Sequence, residues 1–244
     1  MNPSWLTAFL DLAPDDLEPA VAHWAAVTGY GVSTTRGDDG EFASLLPADG
    51  DPHLKVQRLG EGPSRLHLDL HVPEVAPAVE RAVALGATLL ADGEYAVLES
   101  PGGFPFCFVT HRAAVRPAAV DWGGHTSLVD QVCLDVPPRL LDRELAFWTE
   151  VTGWTARPAG REFHRLTRPP QGPLQLLVQR LDDDQPRVTA HLDLSTDDRP
   201  AETARHEALG ATVTGVFDEW TAMRPPAGPP YCITDRVPDT VDPG

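Results

Sequence analysis

The sequence predicts an α+β fold assembled from four βαβββ modules, and three observations predict it. Residues 67–90 read "HLDLHVPEVAPAVERAVALGATLL" and residues 191–214 read "HLDLSTDDRPAETARHEALGATVT", so His-Leu-Asp-Leu and Ala-Leu-Gly-Ala-Thr are each written twice. The match extends outward: "WAAVTGY" (24–30) answers "WTEVTGW" (148–154), "VQRL" recurs at 56–59 and 178–181, and "PGGFPFC" (101–107) answers "PAGPPYC" (226–232), all at offsets of 122 to 125. Each half also repeats internally, since Asp11 and Asp69 in "FLDL" and "HLDL", and Asp135 and Asp193 in "CLDV" and "HLDL", stand 58 positions apart. Self-similarity on this scale marks a structural unit used repeatedly. It divides the chain into halves at 1–115 and 124–240, with 116–123 as a linker.

The order of elements in one module follows from periodicity. Residues 7–12, Thr-Ala-Phe-Leu-Asp-Leu, alternate with period two, placing Ala8, Leu10 and Leu12 on one face and Thr7, Phe9 and Asp11 on the other, as a half-buried strand does. Asp15 or Asp16 can then cap a helix whose Leu17, Val21, Trp24 and Val27 share one stripe, with Pro19 in its first turn and Gly29 just past its end. Trp24 and its counterpart Trp148 are expected in the core. Three extended runs, 30–36, 41–47 and 53–59, follow, separated by "GDDG" and "PADGDP". In "LGAT" the glycine supplies the left-handed residue that turns a helix back into the sheet.

Composition narrows the function. At 244 residues with 42% hydrophobic and 23% charged content, the chain can bury sizeable cores. A formal charge of −17, with Lys55 the single lysine, repels a phosphate backbone and excludes nucleic acid as a partner. No run of 18 apolar residues and no basic segment ahead of an apolar stretch is present, so neither a membrane span nor a secretory signal is read, and a cytoplasmic location is expected. Cys107, Cys133 and Cys232 form no CxxC pair and are expected as free thiols.

Tandem βαβββ units, the "LGAT" junction and the "SPGGFPFCFV" ending resemble the vicinal oxygen chelate superfamily, and within it the glyoxalase-like domains of the glyoxalase, bleomycin-resistance and dioxygenase type. The resemblance spans nearly the whole chain. It implies two glyoxalase-like domains with curved mixed sheets and outer helices, and a cleft on each sheet faced by His67 and Asp69 or by His191 and Asp193. It also carries the superfamily's usual metal positions onto Thr7, Gln57, His67 and Cys107 in the first half and onto Gln131, Gln179, His191 and Cys232 in the second. One His per set and no Glu make a poor shell for a divalent ion, so no cofactor is expected. Cys133, Cys232, His191 and Asp193 form the one weak alternative, a soft zinc site. Cys133 with His191 and Asp193 also supplies the residue types of an activated thiol.

The leading functional reading is therefore a metal-independent small-molecule binder that sequesters an antibiotic or metabolite, as a monomer or weak homodimer. Its ligand would meet Asp11, Gln57, His67 and Asp69 in one half and Gln131, Cys133, Asp135, Gln179, His191 and Asp193 in the other, with aromatic walls drawn from Phe9, Phe106, Trp220 or Tyr231. The rival reading is a lyase, isomerase or cyclase in which a His–Asp pair moves a proton on a carbonyl or enol compound, helped by the neighbouring carboxylates Asp11 and Asp69. A bland reading stands beside both: Cys107 as a small buried hydrophobe, and His67 and His191 as structural partners of the aspartates.

Overall fold

Four repeats of strand, helix and three strands build two open mixed sheets in a computed structural model that describes residues 2–238. The first half runs β1 (Trp5–Leu12), α1 (Leu17–Thr28), β2 (Gly31–Val32), β3 (Phe42–Leu46), β4 (Leu54–Arg58), β5 (Arg65–His71), α2 (Val75–Ala84), β6 (Thr88–Ala91), β7 (Ala96–Glu99) and β8 (Pro105–Val109). After β9 (Val120–Asp121), the second half runs β10 (Thr126–Val136), α3 (Leu141–Thr152), β11 (Thr155–Pro158), β12 (Phe163–Thr167), β13 (Gln175–Arg180), β14 (Thr189–Thr196), α4 (Arg199–Ala208), β15 (Thr212–Val216), β16 (Trp220–Arg224) and β17 (Tyr231–Thr234). The hydrogen-bonded orders are β2-β3-β4-β1-β5-β8-β7-β6 and β11-β12-β13-β10-β14-β17-β16-β15, the same permutation twice. Even the irregularity repeats, since β6 slips register between Leu89 and Ala91 and β15 between Val213 and Gly215. None of the described helices is long and apolar enough to cross a membrane.

Local signals hold in detail. Gly29 and Gly153 end α1 and α3 at φ 69° and 66°, and the two "LGAT" glycines, Gly86 and Gly210, sit at φ 102° and 91°. Asp16 is the N-cap of α1, but its carboxylate accepts from Ser64 Oγ at 2.5 Å and makes no cap bond. Two expectations need correction. All eight residues of β1 are buried, where a half-buried strand was expected, because its polar face is covered; Asp11 there accepts from Arg65 Nε at 3.2 Å. The run expected at 30–36 keeps only two strand residues, Gly31 and Val32. The stretch read as linker carries β9, which pairs with β10 through Thr126↔Asp121 and Ser127↔Val120.

By internal contacts the described chain groups into two compact units that draw on both halves: residues 2–8 with 67–114 and 132–190, and residues 9–66 with 115–131 and 191–238. In the first unit Trp148 and Phe147 of α3 pack on Phe106 of β8, with ring centroids at 5.4 and 5.8 Å, and Trp148 also meets Phe104 at 6.0 Å. Glu144, wholly buried one turn earlier, accepts from Trp148 Nε1 at 2.9 Å and from the backbone N–H of Gly102 at 2.5 Å, and burial pushes its carboxyl pKa up. A Cβ on Gly102 would stand 2.5 Å from Val188 Cγ2, so only glycine lets that loop come so close.

In the second unit Trp24 of α1 packs on Tyr231 of β17 at 5.2 Å. The Tyr231 hydroxyl lies 2.8 Å from His206 Nδ1 and 3.3 Å from His23 Nε2. His206 Nε2 reaches Glu202 Oε1 at 3.0 Å, and Glu202 also takes Arg205 at 2.7 and 2.8 Å and His125 at 2.7 Å. Arg205 in turn donates to the last carbonyls of α1, Val27 at 2.7 Å and Ala26 at 3.3 Å, and lies 3.6 Å from the Trp122 ring centroid. Burial, then the neighbouring His206, lowers the His23 pKa from 6.5 to about 4; burial likewise lowers that of His206. For Glu202 burial acts upward, but the hydrogen bonds from Arg205 and His206 outweigh it and hold the carboxyl below its ordinary range.

Two outcomes follow from these clusters. Glu144→Ala orphans the Gly102 N–H and the Trp148 indole, and urea denaturation should show a loss of at least ~2 kcal/mol. The second concerns acid. Neutral His23 is the folded form, so its contribution is full above its ordinary value of 6.5 and is lost as pH falls from there toward about 4. The lost stability is roughly 3 kcal/mol for a buried group so shifted. The lowered Glu202 carboxyl acts in the same direction, its stabilisation disappearing at still lower pH. The urea midpoint should fall steeply between pH 6.5 and 4, and His23→Gln should flatten that fall; a variant that keeps the full slope would exclude His23 as its source.

Candidate functional site

A strand written His-x-Asp puts both side chains on one face, because successive residues of a strand alternate. On β5, His67, Asp69 and His71 take one face and Leu66, Leu68 and Leu70 the other, all buried. His67 Nε2 stands 3.6 Å from Asp69 Oδ1. β8 runs parallel beside β5 with Cys107 opposite Asp69, and Phe106 and Phe108, its neighbours in sequence, face the other way. The ligand atoms of His67, Asp69 and Cys107 consequently lie within 4.8 Å of one another. Thr7, a metal position carried over by resemblance, lies 2.9 Å from His71 Nε2, whose Nδ1 lies 2.7 Å from the His111 carbonyl oxygen. Asp69, which the resemblance did not count among the metal positions, joins two that it did, His67 and Cys107.

The second half writes the same pair. His191 Nε2 stands 3.4 Å from Asp193 Oδ1, and the Gln131 amide donates to Asp193 Oδ2 at 2.5 Å. Cys232 on β17 lies opposite Asp193 and is half-buried. Cys133 is buried on β10 with its Sγ 3.9 Å from Gln179 Oε1, and Asp135, two residues on, is half-buried on the same face. In the first half, Asp11 is ion-paired with Arg65 and Gln57 lies opposite Phe42 on the β3–β4 ladder.

The expected aromatic walls separate into two groups. Phe9 stays on the polar face, edge-on to Phe42 at 6.3 Å with Lys55 Nζ 5.2 Å from its centroid. Trp220 shares a face with Cys232 by register and stacks on Phe217 at 4.7 Å. Phe106 and Tyr231 are no walls: both are at most 1% exposed and pack on Trp148 and Trp24. The alternation Phe106-Cys107-Phe108 gives the reason for Phe106, since helix-facing phenylalanines leave the cysteine on the polar face. Sequence reasoning passed over Lys55.

The sequence profile of the glyoxalase-like domain matches residues 7–109 and again 131–234. No curated protein matches the chain in sequence. Among solved structures, a triple mutant of 4-hydroxymandelate synthase from Streptomyces coelicolor is similar over 97% of this chain and 94% of its own, at 14% identity and TM-score 0.64. A Mn(II)-bound glyoxalase from Novosphingobium aromaticivorans is similar over 96% and 81%, at 15% identity and TM-score 0.64. A 2,2′,3-trihydroxybiphenyl 1,2-dioxygenase from Sphingomonas wittichii is similar over 96% and 89%, at 17% identity and TM-score 0.60. At such identities the likeness is one of fold.

The expectation of no cofactor is overturned. Its premise was a donor set with one His and no carboxylate, and Asp69 supplies the carboxylate beside His67 and Cys107, two positions the resemblance had already given; one of the structures sharing the fold is itself metal-bound. His nitrogen, Asp oxygen and Cys sulfur are the donor types of a borderline ion such as zinc, and three protein donors leave a position open for water or a ligand.

The Gln131 contact generates a test of its own. Asp193 is 3% exposed on its buried strand, so Gln131→Leu should leave its Oδ2 without the amide and reduce stability by roughly 1–3 kcal/mol in urea denaturation. Unchanged stability would show that the carboxylate does not depend on that donor.

Proposed function

Since the chain belongs to the glyoxalase-like domain family of the vicinal oxygen chelate superfamily, we propose that it acts on an oxygen-bearing small molecule with one divalent ion held by His67, Asp69 and Cys107. The observation that carries this is the buried convergence of those three ligand atoms within 4.8 Å. A bound ion would polarise a carbonyl or enol oxygen of the ligand. The protein's own part is to fix the donors: β5 sets His67 and Asp69 on one face, and the parallel pairing with β8 brings Cys107 beside them. The sulfur donor favours zinc or cobalt over magnesium or manganese.

A second reading rests on a different observation. Gln131 fixes one oxygen of Asp193 while the other faces His191 Nε2 at 3.4 Å, an arrangement that holds a histidine in place for general acid–base work of the lyase or isomerase kind. If the protein turns nothing over, binding alone remains, as sequestration of a metabolite or antibiotic.

Cobalt substitution tests the metal reading without an assay of activity. Protein stripped with chelator and titrated with Co(II) should bind one equivalent and develop a near-ultraviolet thiolate-to-cobalt charge-transfer band. Cys107→Ser should abolish the band, His67→Ala should weaken cobalt binding at least tenfold, and Cys133→Ser should change neither. A band that survives Cys107→Ser, or no cobalt binding at all, would refute the assignment.

A further inference from the structure

We infer that each half carries an anion-recognition face, built from one cation, one phenylalanine and one glutamine and suited to a planar organic carboxylate. In the first half the β3–β4 ladder sets Phe42 opposite Gln57 and Ser44 opposite Lys55. In the second, the β12–β13 ladder sets Phe163 opposite Gln179 and Arg165 opposite Leu177. The repeated "VQRL" aligns Gln57 with Gln179 and Lys55 with Leu177, so the registers align Phe42 with Phe163 and Ser44 with Arg165. The Phe–Gln rung is thus kept unchanged, while on the adjacent rung the cation has moved from one strand to the other. Directly opposed residues have their Cβ atoms only ~5 Å apart. Swapping a cation across a rung preserves its charge at nearly the same place, which a merely solvated face has no reason to do.

Charge and burial point the same way. A chain with net charge −17 places its single lysine here. Phe42, Lys55, Gln57, Phe163, Arg165 and Gln179 are all half-buried, as side chains are that keep contact with something beyond the core. In the first half Arg36 donates to Ser44 Oγ at 3.0 Å, bringing a second cation to the lysine's rung, and Phe9 extends the aromatic surface beneath Lys55. A cation and a carboxamide N–H are the donors a carboxylate accepts, and the phenylalanine ring offers a flat apolar wall to the conjugated part of the same molecule. An aromatic carboxylate satisfies all three groups; a simple inorganic anion uses only the first two, and a neutral arene only the last.

The single lysine makes the test direct. Protein labelled with ¹³C in lysine alone, and chelator-treated so that the outcome is independent of the metal assignment, gives one εCH₂ signal. Benzoate should shift that signal saturably, with benzamide and acetate each at least tenfold weaker. Equilibrium dialysis should count about two benzoates per chain, falling to about one in Lys55→Met and in Arg165→Met, while Lys55→Arg retains two; circular dichroism and melting temperature confirm that each variant is folded. An εCH₂ signal that benzoate leaves in place, equal shifts with benzamide, or full benzoate stoichiometry in both methionine variants would overturn the inference. A positive result here with no cobalt band, or the reverse, separates this face from the proposed ion site.

Discussion

A buried tryptophan on the first helix of each half, seated on the last strand of the other half, is the contact on which the remainder depends. Trp148 lies on Phe106 and Trp24 on Tyr231, and each tryptophan is fully buried. A buried aromatic of this size removes on the order of 200 Å² from water, more than any polar contact in the vicinity contributes on its own. Because each of these contacts joins residues from different halves, the compact units follow the tryptophans and not the repeat. The strands beneath them present large apolar side chains to the helix at every second position, Phe106 and Phe108 on β8 and Tyr231 and Ile233 on β17, and the positions between are released for polar side chains. The His-x-Asp pairs exist on the polar face because the alternate residues are committed to packing.

The two cores solve the same problem with different chemistry. Where α3 has Glu144 receiving the Gly102 loop, α1 has Ala20 at the equivalent place, close to where a Cβ on Gly228 would stand. The polar load of the second unit lies on α4, where Glu202 gathers Arg205, His206 and His125. Every oxygen of these carboxylates has a donor, as burial requires. Such saturation makes them structural, in contrast to His67, Asp69 and Cys107, whose ligand atoms converge on one another.

Fold class was legible because it depends on repetition and period, which the sequence displays openly: "HLDL", "LGAT" and "VQRL" mark equivalent points in equivalent modules, and the glycines fall at positive φ where the motif demands. The convergence of His67, Asp69 and Cys107 was not foreseen as a set, for a physical reason. Ligand sets form across strands, and the pairing of Asp69 with Cys107 is a matter of parallel register, which no local pattern encodes. Phe106 and Tyr231 were misassigned as walls for a different reason: their parity within β8 and β17 decides which face they take, and that alternation is local. The relation of Lys55 to Arg165 was passed over because it appears only when the two ladders are aligned, where the cations stand on opposite strands of the equivalent rung.

The exchange of tryptophan partners bears on assembly. A half standing by itself would have a helix tryptophan without its strand and a strand aromatic without its helix, two mutually complementary vacancies. One half by itself could therefore complete this packing only against a second copy, in a symmetric pair where each tryptophan crosses to the other chain. Joining two such copies end to end turns a concentration-dependent encounter into an intramolecular one. Joined halves need not be alike, and these differ, with Phe9 in one where the other has Cys133 and Lys55 in one where the other has Leu177. The covalent link is what allows the two halves of one core to differ.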